Sequence, residues 1–173
     1  MTWNEAFLDL FNNGLAHHKA GHTNYNDFKS FYSKEDLSFL QSIGCKPREL
    51  FDFIEDLADA GQPAATTALL IAAVRRDYFL AIQDGVLSTT EITSADLPTF
   101  GAELEGMQYL PRIIAKARHK LRGELDPDVM YGCGGDRRFL KGNGNIHLAD
   151  FLRNVWAADG DDAKVAAYVK AQS

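Results

Sequence analysis

The stretch LPRIIAKARHKLRG, residues 110–123, carries the clearest fold information in this chain. Its apolar residues recur at intervals of four, three and four, which places them on one face of an α-helix. These residues are Leu110, Ile114, Ala117 and Leu121. Pro111 stands just inside the start and Gly123 just past the end, an arrangement typical of helix boundaries. The stretch therefore predicts an amphipathic helix with one face against a core.

Similar boundary signals occur along most of the chain. Thr2 and Glu5 form a capping box, Pro47 suits a first helical position, and Pro63 is expected to open a helix that runs to about Gln83. Apolar spacing predicts further helices after Ser33 and over 47–60, 136–140, 148–158 and 161–171. Residues 24–28 are typical of a polar connector. Because no strand pair is indicated, the predicted fold class is mainly α.

The least regular part of the chain is the segment 86–106, which contains Pro98, Gly101 and Gly106. A connection of this length is long for a compact domain and is typical of a functional or interdomain loop. We therefore predict two helical halves, 1–85 and 107–173, packed together and joined by this connector.

Two segments resemble each other within the chain. Residues 36–44 read DLSFLQSIG and residues 136–144 read DRRFLKGNG, and they align without gaps. Each leads into an acidic amphipathic helix that ends at a glycine, Gly61 in one case and Gly160 in the other. Either amphipathic helices resemble each other by chance, or 36–61 and 136–160 are two related helical units.

The composition is that of an ordinary globular protein. The 173 residues are 46% hydrophobic and 24% charged, which argues against a disordered chain. The 18 basic and 24 acidic residues give a net charge of −6, so the overall charge argues against a nucleic-acid binder. The two cysteines are too few for a disulfide scaffold.

No signal peptide or membrane span is indicated by the sequence. The N-terminus lacks a basic stretch followed by an apolar one, and the longest apolar run, residues 68–74, is far shorter than the roughly 20 residues that cross a bilayer. We therefore expect a cytoplasmic protein with reduced thiols and no membrane contact.

The charges are unevenly distributed. Segment 111–141 holds 8 basic and 4 acidic residues, a net charge of +4, whereas the rest of the chain carries −10. The basic segment could attract a small anion or dock on the acidic helix of the same chain or of a second copy, which would make a homo-oligomer. That helix carries Glu49, Asp52, Glu55, Asp56 and Asp59. Arg112, Lys116 and Lys120 would lie along one helix side, which also suits a plain solvated face.

The strongest local motif is YGCGGDRR, residues 131–138. Its glycines let the backbone approach a ligand closely, and the helix start that follows presents free N–H groups, so phosphate or carboxylate is the natural ligand. The motif is not a nucleotide P-loop or a dinucleotide fingerprint. The alternative is a tight turn with Asp136 as a helix cap and solvated arginines. The predicted binding residues are Arg112, Lys116, Arg118, Tyr131, Gly134, Gly135, Arg137 and Arg138.

Catalytic roles are conceivable at the same motif. Cys133 could be a nucleophile, since a helix N-terminus and basic neighbours favour a thiolate, with His119 or His147 as the base. Asp136 with Arg137 could act on an anionic substrate. The alternative is that Cys133 is a small buried apolar residue, as free cysteines often are.

Three histidines near the N-terminus raise the question of a metal site. His18 and His22 are one helical turn apart, but Lys19 stands where a zinc protease motif has glutamate, and no third ligand is indicated. We therefore expect no metal or other cofactor, and we expect His17, His18 and His22 to be surface or interface residues.

Several of these stretches resemble a bacterial family known as domain of unknown function 5069. The resemblance lies in residues 110–118, Leu121, Gly123, 131–133 and 136–140, and its longer members are similar at 42–44, 47–50 and 75–79. It implies a small bacterial cytoplasmic protein and assigns no catalytic or binding residue.

The leading functional hypothesis is a non-catalytic binding or interaction protein with an anion site at loop 131–138. The alternative is a small enzyme that acts on an anionic substrate through Cys133, or through Asp136 with Arg137. Contact with nucleic acid through the basic segment is a weaker third possibility, which salt-dependent binding would reveal.

Overall fold

The computed structural model describes all residues from Met1 to Ser173 and divides into two compact units, Met1–Val86 and Leu87–Ser173. Helices dominate both units, and the only sheet is one hairpin of two strands with two residues each. The predicted mainly α class is therefore confirmed. None of the helices combines the length and the apolar character that crossing a bilayer requires.

The N-terminal unit contains five helices. They are α1 (Trp3–Lys19), α2 (Tyr25–Phe28), α3 (Lys34–Ser42), α4 (Pro47–Ala60) and α5 (Ala65–Ala81). The capping box at Thr2 forms as predicted. Residues 24–28, predicted as a connector, instead contain α2. The Asn24 Oδ1 atom accepts a hydrogen bond from the Asp27 N–H at 3.0 Å and so caps this helix, and Phe28 is buried. Helix α5 begins at Ala65, two residues after Pro63.

The core of this unit forms where α1 packs against α4 and α5. On the inward side of α4, Leu50, Phe51 and Ile54 are all buried. They pack in a core with residues of α1 and α5, and burial of such side chains contributes roughly 1.5–3 kcal/mol each. The largest buried apolar residues of α1 and α5 are Phe7, Leu10, Phe11, Ile71, Val74 and Phe79.

The C-terminal unit contains four helices and the hairpin. They are α6 (Leu110–Arg122), α7 (Gly134–Gly142), α8 (Leu148–Ala157) and α9 (Asp162–Gln172), with β1 (Glu103–Leu104) antiparallel to β2 (Met107–Gln108). Of the predicted connector 86–106, residues 87–106 belong to this unit. Ile92 pairs there with the chain that follows α6, donating to Glu124 at 2.7 Å and accepting from Asp126 at 3.0 Å.

Helix α6 is the central helix of this unit and packs against α8, α9 and β1. Leu110, Ile114 and Ala117 are completely buried, as the sequence pattern requires of an inward face. Three of its five Lys and Arg residues are buried too, with exposures of 6% for Arg112, 4% for Lys116 and 3% for Lys120. The interpretation of these three residues as a solvated face is therefore wrong, because neighbouring elements cover more than one side of α6.

The two similar segments adopt the same local structure. Helices α3 and α7 both span nine residues, and each is followed two residues later by a glycine with left-handed φ, +68° at Gly44 and +86° at Gly144. After each glycine the chain donates back to a buried leucine, from Cys45 to Leu40 at 2.9 Å and from Ile146 to Leu140 at 3.1 Å. The shared spacing thus produces the same helix stop in both units.

One member of the acidic helix α4 is not on the surface. Asp52 is only 9% exposed, and Arg48 Nε donates to its Oδ1 at 2.8 Å. Burial raises the pKa of Asp52 to about 6, although the hydrogen bond and charge of Arg48 oppose the shift. The folded state therefore binds this proton more tightly than the unfolded chain does, in which an aspartate has a pKa of about 3.9.

This difference predicts a pH-dependent effect of Asp52→Asn. The contribution of Asp52 to stability is greatest below about pH 4, falls as the pH rises, and levels off above about pH 6. The variant does not titrate, so its free energy of unfolding relative to the wild type should rise by about 2 kcal/mol between pH 4 and pH 8. Urea unfolding at both pH values measures this change. Asp59→Asn, an exposed position on the same helix, is the control that should show no such trend.

Candidate functional site

The loop before α7 is held by buried contacts. The Tyr131 side chain is 2% exposed, and its hydroxyl donates to the Leu148 carbonyl at 2.8 Å, which ties the loop to the start of α8. Gly132 has φ of +91°, a conformation that favours glycine. Cys133 then takes an extended conformation as the residue that precedes α7. The glycine and tyrosine of the motif therefore shape the loop.

A buried carboxylate lies at the centre of the site. Asp136, in the first turn of α7, is fully buried and accepts three hydrogen bonds. Lys116 Nζ donates to Oδ2 at 2.6 Å, the Gly132 N–H donates to the same oxygen at 2.8 Å, and the Tyr109 hydroxyl donates to Oδ1 at 2.7 Å. We call Tyr109, Lys116, Gly132, Cys133 and Asp136 the Asp136 cluster.

The electrostatics of the cluster explain why it can exist inside the protein. A buried charge is costly unless it is paired and hydrogen-bonded, and here both the ammonium of Lys116 and the carboxylate of Asp136 are paired. Burial, with the charge and hydrogen bond of Asp136, raises the pKa of Tyr109, so its hydroxyl remains a donor. Burial likewise raises the pKa of Tyr131 well above its usual value.

Tyr109 combines this contact with an unusual backbone. Its φ is +74°, a left-handed conformation that is strained for a residue with a side chain, at the position that precedes α6. Its ring packs beside Phe139, with 5.8 Å between centroids, and beside the exposed Phe100 at 6.1 Å. Strained residues are concentrated at functional sites, so Tyr109 is a candidate member of such a site.

The thiol of Cys133 lies at the edge of the cluster. Lys116 Nζ is 3.3 Å from Sγ, so the ammonium contacts both the sulfur and Asp136. Cys133 is partly exposed, unlike Cys45 in the N-terminal unit, which is buried. A Cβ at Gly135 would lie 3.8 Å from Sγ and 3.0 Å from the Tyr109 hydroxyl, which places the sulfur beside the first turn of α7.

The N-terminus of α7 has free backbone donors. The N–H groups of Gly134, Gly135 and Asp136 have no acceptor, and Cys133 makes no side-chain cap. Gly134 is exposed, and the space that a Cβ would occupy there has only Arg137 Nη2 within 4 Å, at 3.9 Å. The first turn of the helix is therefore open to solvent on its Gly134 side.

The predicted arginines have separate partners. Arg112 donates to the Pro98 carbonyl at 2.7 Å and to Ser94 Oγ at 2.8 Å, with its guanidinium 4.1 Å from the Phe100 ring centre. Arg118 pairs with Asp162 at the start of α9. Arg137 donates to the Gly132 carbonyl at 2.7 Å, and Arg138 is exposed. Among these four residues, Arg137 and Arg138 lie on α7 itself, and Arg112 and Arg118 hold other elements to α6.

The candidate base His119 is engaged elsewhere in the C-terminal unit. Its Nδ1 is 2.7 Å from Glu124 Oε2, and Ser88 donates to the other oxygen of the same carboxylate at 3.1 Å. His147 caps α8, accepting from Ala149 N–H at 3.1 Å. Both histidines therefore have structural contacts away from the thiol.

The N-terminal histidines differ from one another in burial. His17 and His22 stack with 3.9 Å between ring centres, and both are partly exposed. His18 was predicted as a surface or interface residue, and the surface alternative is wrong for it. It is 3% exposed and packs against Phe51, because it lies on the face of α1 that packs against α4. The structure brings no three His, Cys, Asp or Glu side chains together in a way that could hold a metal ion.

The sequence does not indicate Tyr109, the second side-chain partner of Asp136 after Lys116. Its only local signal is its place immediately before the Leu110–Pro111 helix start. The contact with Asp136 spans 27 positions, and no helical or turn spacing predicts it. Phe100 and Phe139, which flank Tyr109, were missed for the same reason.

Fold and site together define a mainly α protein with a buried Lys–Asp pair at a helix N-terminus. Residues 100–173 match the family described as Domain of unknown function (DUF5069), which confirms the resemblance over that segment. The matched segment contains the hairpin, α6 to α9 and the whole Asp136 cluster. The similarity suggested for residues 42–79 stays a prediction. No curated protein and no solved structure matches the chain.

Proposed function

We propose that this chain is a non-catalytic binding protein and that the N-terminus of α7 binds a small anion, a phosphate or a carboxylate. The observation that supports this most strongly is the pair of N–H groups at Gly134 and Gly135, which have no acceptor and belong to residues with solvent exposure. Helix N-termini attract anions through such donors and through the helix dipole.

The surrounding charges support the same function. The carboxylate of Asp136 would repel an anion, but Lys116 neutralises it inside the protein. Arg137 Nη2 lies near the open space above Gly134, where it can add a charge-assisted hydrogen bond. Glycine at 134 leaves this approach unobstructed.

The enzyme alternative has one supporting contact, that between Lys116 Nζ and Cys133 Sγ. It also needs a general base beside the thiol, and His119 is hydrogen-bonded to Glu124 instead. Binding needs only groups that the structure already presents, so it is the first choice. A Cys133→Ala variant that binds the anion like the wild type favours binding over thiol catalysis.

Gly134→Pro provides a specific test. Proline is tolerated at a first helical position, and the extended backbone of Cys133 is compatible with a following proline. The substitution removes one N–H donor, so we expect phosphate to bind about tenfold more weakly, as the loss of one charge-assisted hydrogen bond implies. Titration with inorganic phosphate at constant ionic strength, followed by amide chemical shifts of residues 133–138, measures the affinity.

Gly134→Ala is the matched control, since it keeps the N–H and its Cβ would meet only Arg137 Nη2 at 3.9 Å. We expect it to bind phosphate within about twofold of the wild type, because the hydrogen bond remains. Equal affinity of the proline variant and the wild type would contradict the proposed site. Chemical shifts that change evenly over all basic residues would also contradict the proposed site, because phosphate would then have no preferred position.

A further inference from the structure

We propose that the outward face of α5 is a dimer interface, on which α5 of a second copy of this chain packs in the antiparallel direction. We define this face by Leu70, Ala73, Arg76, Asp77 and Leu80. The inference concerns the N-terminal unit and does not depend on anion binding at α7. The second copy is the occupant because the face is complementary to itself in charge and in packing.

The first supporting observation is the apolar character of α5 on the side that its neighbours leave uncovered. The helix packs against α1 and α4. On the other side Leu70 and Leu80 are exposed, and Ile82 and Val86 extend the apolar surface beyond the helix end. These four residues are half of the eight large apolar side chains that are exposed in the whole chain. A helix that is apolar all round is normally buried, and an exposed apolar patch marks an interaction surface.

The second observation is the placement of the charges on this face. Arg76 and Asp77 are adjacent in sequence, and successive residues of a helix do not face each other. The contact between Arg76 Nη1 and Asp77 Oδ1 is accordingly long, at 3.5 Å, and the Asp77 side chain is 63% exposed. A twofold axis that crosses the helix between these two residues places Arg76 of each copy opposite Asp77 of the other. Two equivalent ion pairs then form across one interface, as an isologous dimer requires.

The packing is complementary about the same axis. Ala73 lies three positions before this pair of charges, and Leu80 lies three positions after it. The axis therefore places Leu80 of one copy over the small Ala73 of the other, where two helices can approach closely. Leu70, six positions before the charges, lies opposite the segment 82–86 of the second copy, which carries exposed apolar side chains. Because charge and packing share one axis, they define a single antiparallel register.

The position of Arg76 also favours this contact. Its guanidinium carbon is 5.1 Å from the centre of the Trp3 ring, within the range of a cation–π interaction. A side chain that is already held loses less conformational freedom when it pairs with a partner. Trp3 therefore prepares Arg76 to meet Asp77 of the second copy.

The first measurement is the mass of the full-length chain in solution. Sedimentation equilibrium at protein concentrations from about 1 to about 200 µM gives the dissociation constant of the dimer. We expect dimers to predominate at about 200 µM, as a Kd of about 100 µM or lower requires. A chain that is mainly monomeric at this concentration would overturn the proposal.

Charge reversal tests the register. Arg76→Asp puts two carboxylates opposite each other in the dimer, and Asp77→Arg puts two guanidinium groups opposite each other. We expect each variant alone to dimerise at least about tenfold more weakly than the wild type. A mixture of the two variants restores opposite charges at both contacts, so it should form a heterodimer with about the wild-type affinity. A mixture that associates no better than either variant alone contradicts the pairing of Arg76 with Asp77.

Leu80→Lys tests the apolar contact, and Leu37→Lys on α3 is its matched control. The two leucines are 43% and 42% exposed, so the substitutions remove the same kind of surface and add the same charge. We expect Leu80→Lys to weaken the dimer at least about tenfold, because a charge would be buried against Ala73. Leu37→Lys should stay within about twofold of the wild type.

Circular dichroism of every variant verifies that the helices persist, so that a weaker dimer is not the result of unfolding. Equal effects of the two leucine substitutions would place the interface elsewhere and overturn the proposal. A dimer that survives Leu80→Lys with wild-type affinity would overturn it as well.

Discussion

Replacing Lys116 with methionine should lower the stability of the C-terminal unit by about 3–5 kcal/mol, the usual cost of leaving a buried charge without its partner. The carboxylate of Asp136 is fully buried, and Lys116 is its only cationic partner. The hydrogen bonds from Tyr109 and Gly132 would remain, but they neutralise no charge. Urea unfolding measures the loss, with Trp156 fluorescence reporting on this unit in a background that carries Trp3→Phe.

Arg118→Met is the matched control for this prediction. Arg118 is also a cation of α6 that pairs with a carboxylate on another helix, Asp162, but both side chains are partly exposed. Solvent screens such a pair, so its loss should cost less than about 1 kcal/mol. Adding Asp136→Asn to Lys116→Met should recover about 2 kcal/mol, since the unpaired charge is then gone. Equal losses for the Lys116 and Arg118 variants would show that burial of the pair contributes nothing.

The helices of this chain could be predicted because their signals are local. The capping box at Thr2, Pro47 at the start of α4 and Gly123 after α6 each act within one helical turn. A backbone donor and a side chain a few residues away are brought together by the helix itself. Such contacts are encoded in adjacent residues, so the structure reproduces them.

The site could be predicted only in part, and two aspartates show why. Asp36 and Asp136 occupy the same position in α3 and α7, and both accept a backbone N–H from the preceding turn. Asp36 is partly exposed and caps its helix through Ser33 alone. Asp136 is buried because Lys116 and Tyr109 reach it from elements far along the chain. Local spacing predicts the cap and carries no information about those partners.

For the same reason, local spacing does not predict that basic residues of α6 are buried. Spacing correctly places Arg112, Lys116 and Lys120 along one side of a helix, but it does not show what covers that side. In the structure Arg112 binds the loop at Ser94 and Pro98, and Lys116 binds Asp136. A charged stripe is solvated in most helices, and here the neighbouring elements supply acceptors that allow burial.

The second large effect is expected in the N-terminal unit, where Gly44→Ala should cost about 3 kcal/mol or more. Gly44 ends α3 with φ of +68°, which an alanine adopts at a cost of about 1 kcal/mol. A Cβ there would also lie 2.7 Å from Phe79 Cγ and 2.9 Å from Phe79 Cβ, and Phe79 is 3% exposed in the core. Forcing atoms into a packed core adds about 1–3 kcal/mol. Trp3 fluorescence during urea unfolding, in a Trp156→Phe background, measures the total.

Two comparisons separate backbone strain from the clash. Gly61→Ala ends α4 at nearly the same φ, +70°, with nothing within 4 Å of the new Cβ, so it should cost only about 1 kcal/mol. In a Phe79→Ala background the ring is absent, and Gly44→Ala should then cost close to that lower value, because the two positions share one contact. If Gly44→Ala costs no more than Gly61→Ala in the wild-type background, α3 and α5 do not pack through Gly44 and Phe79. The close approach of Gly44 to Phe79 of α5 would then be contradicted. The left-handed backbone conformation of Gly44 would remain supported.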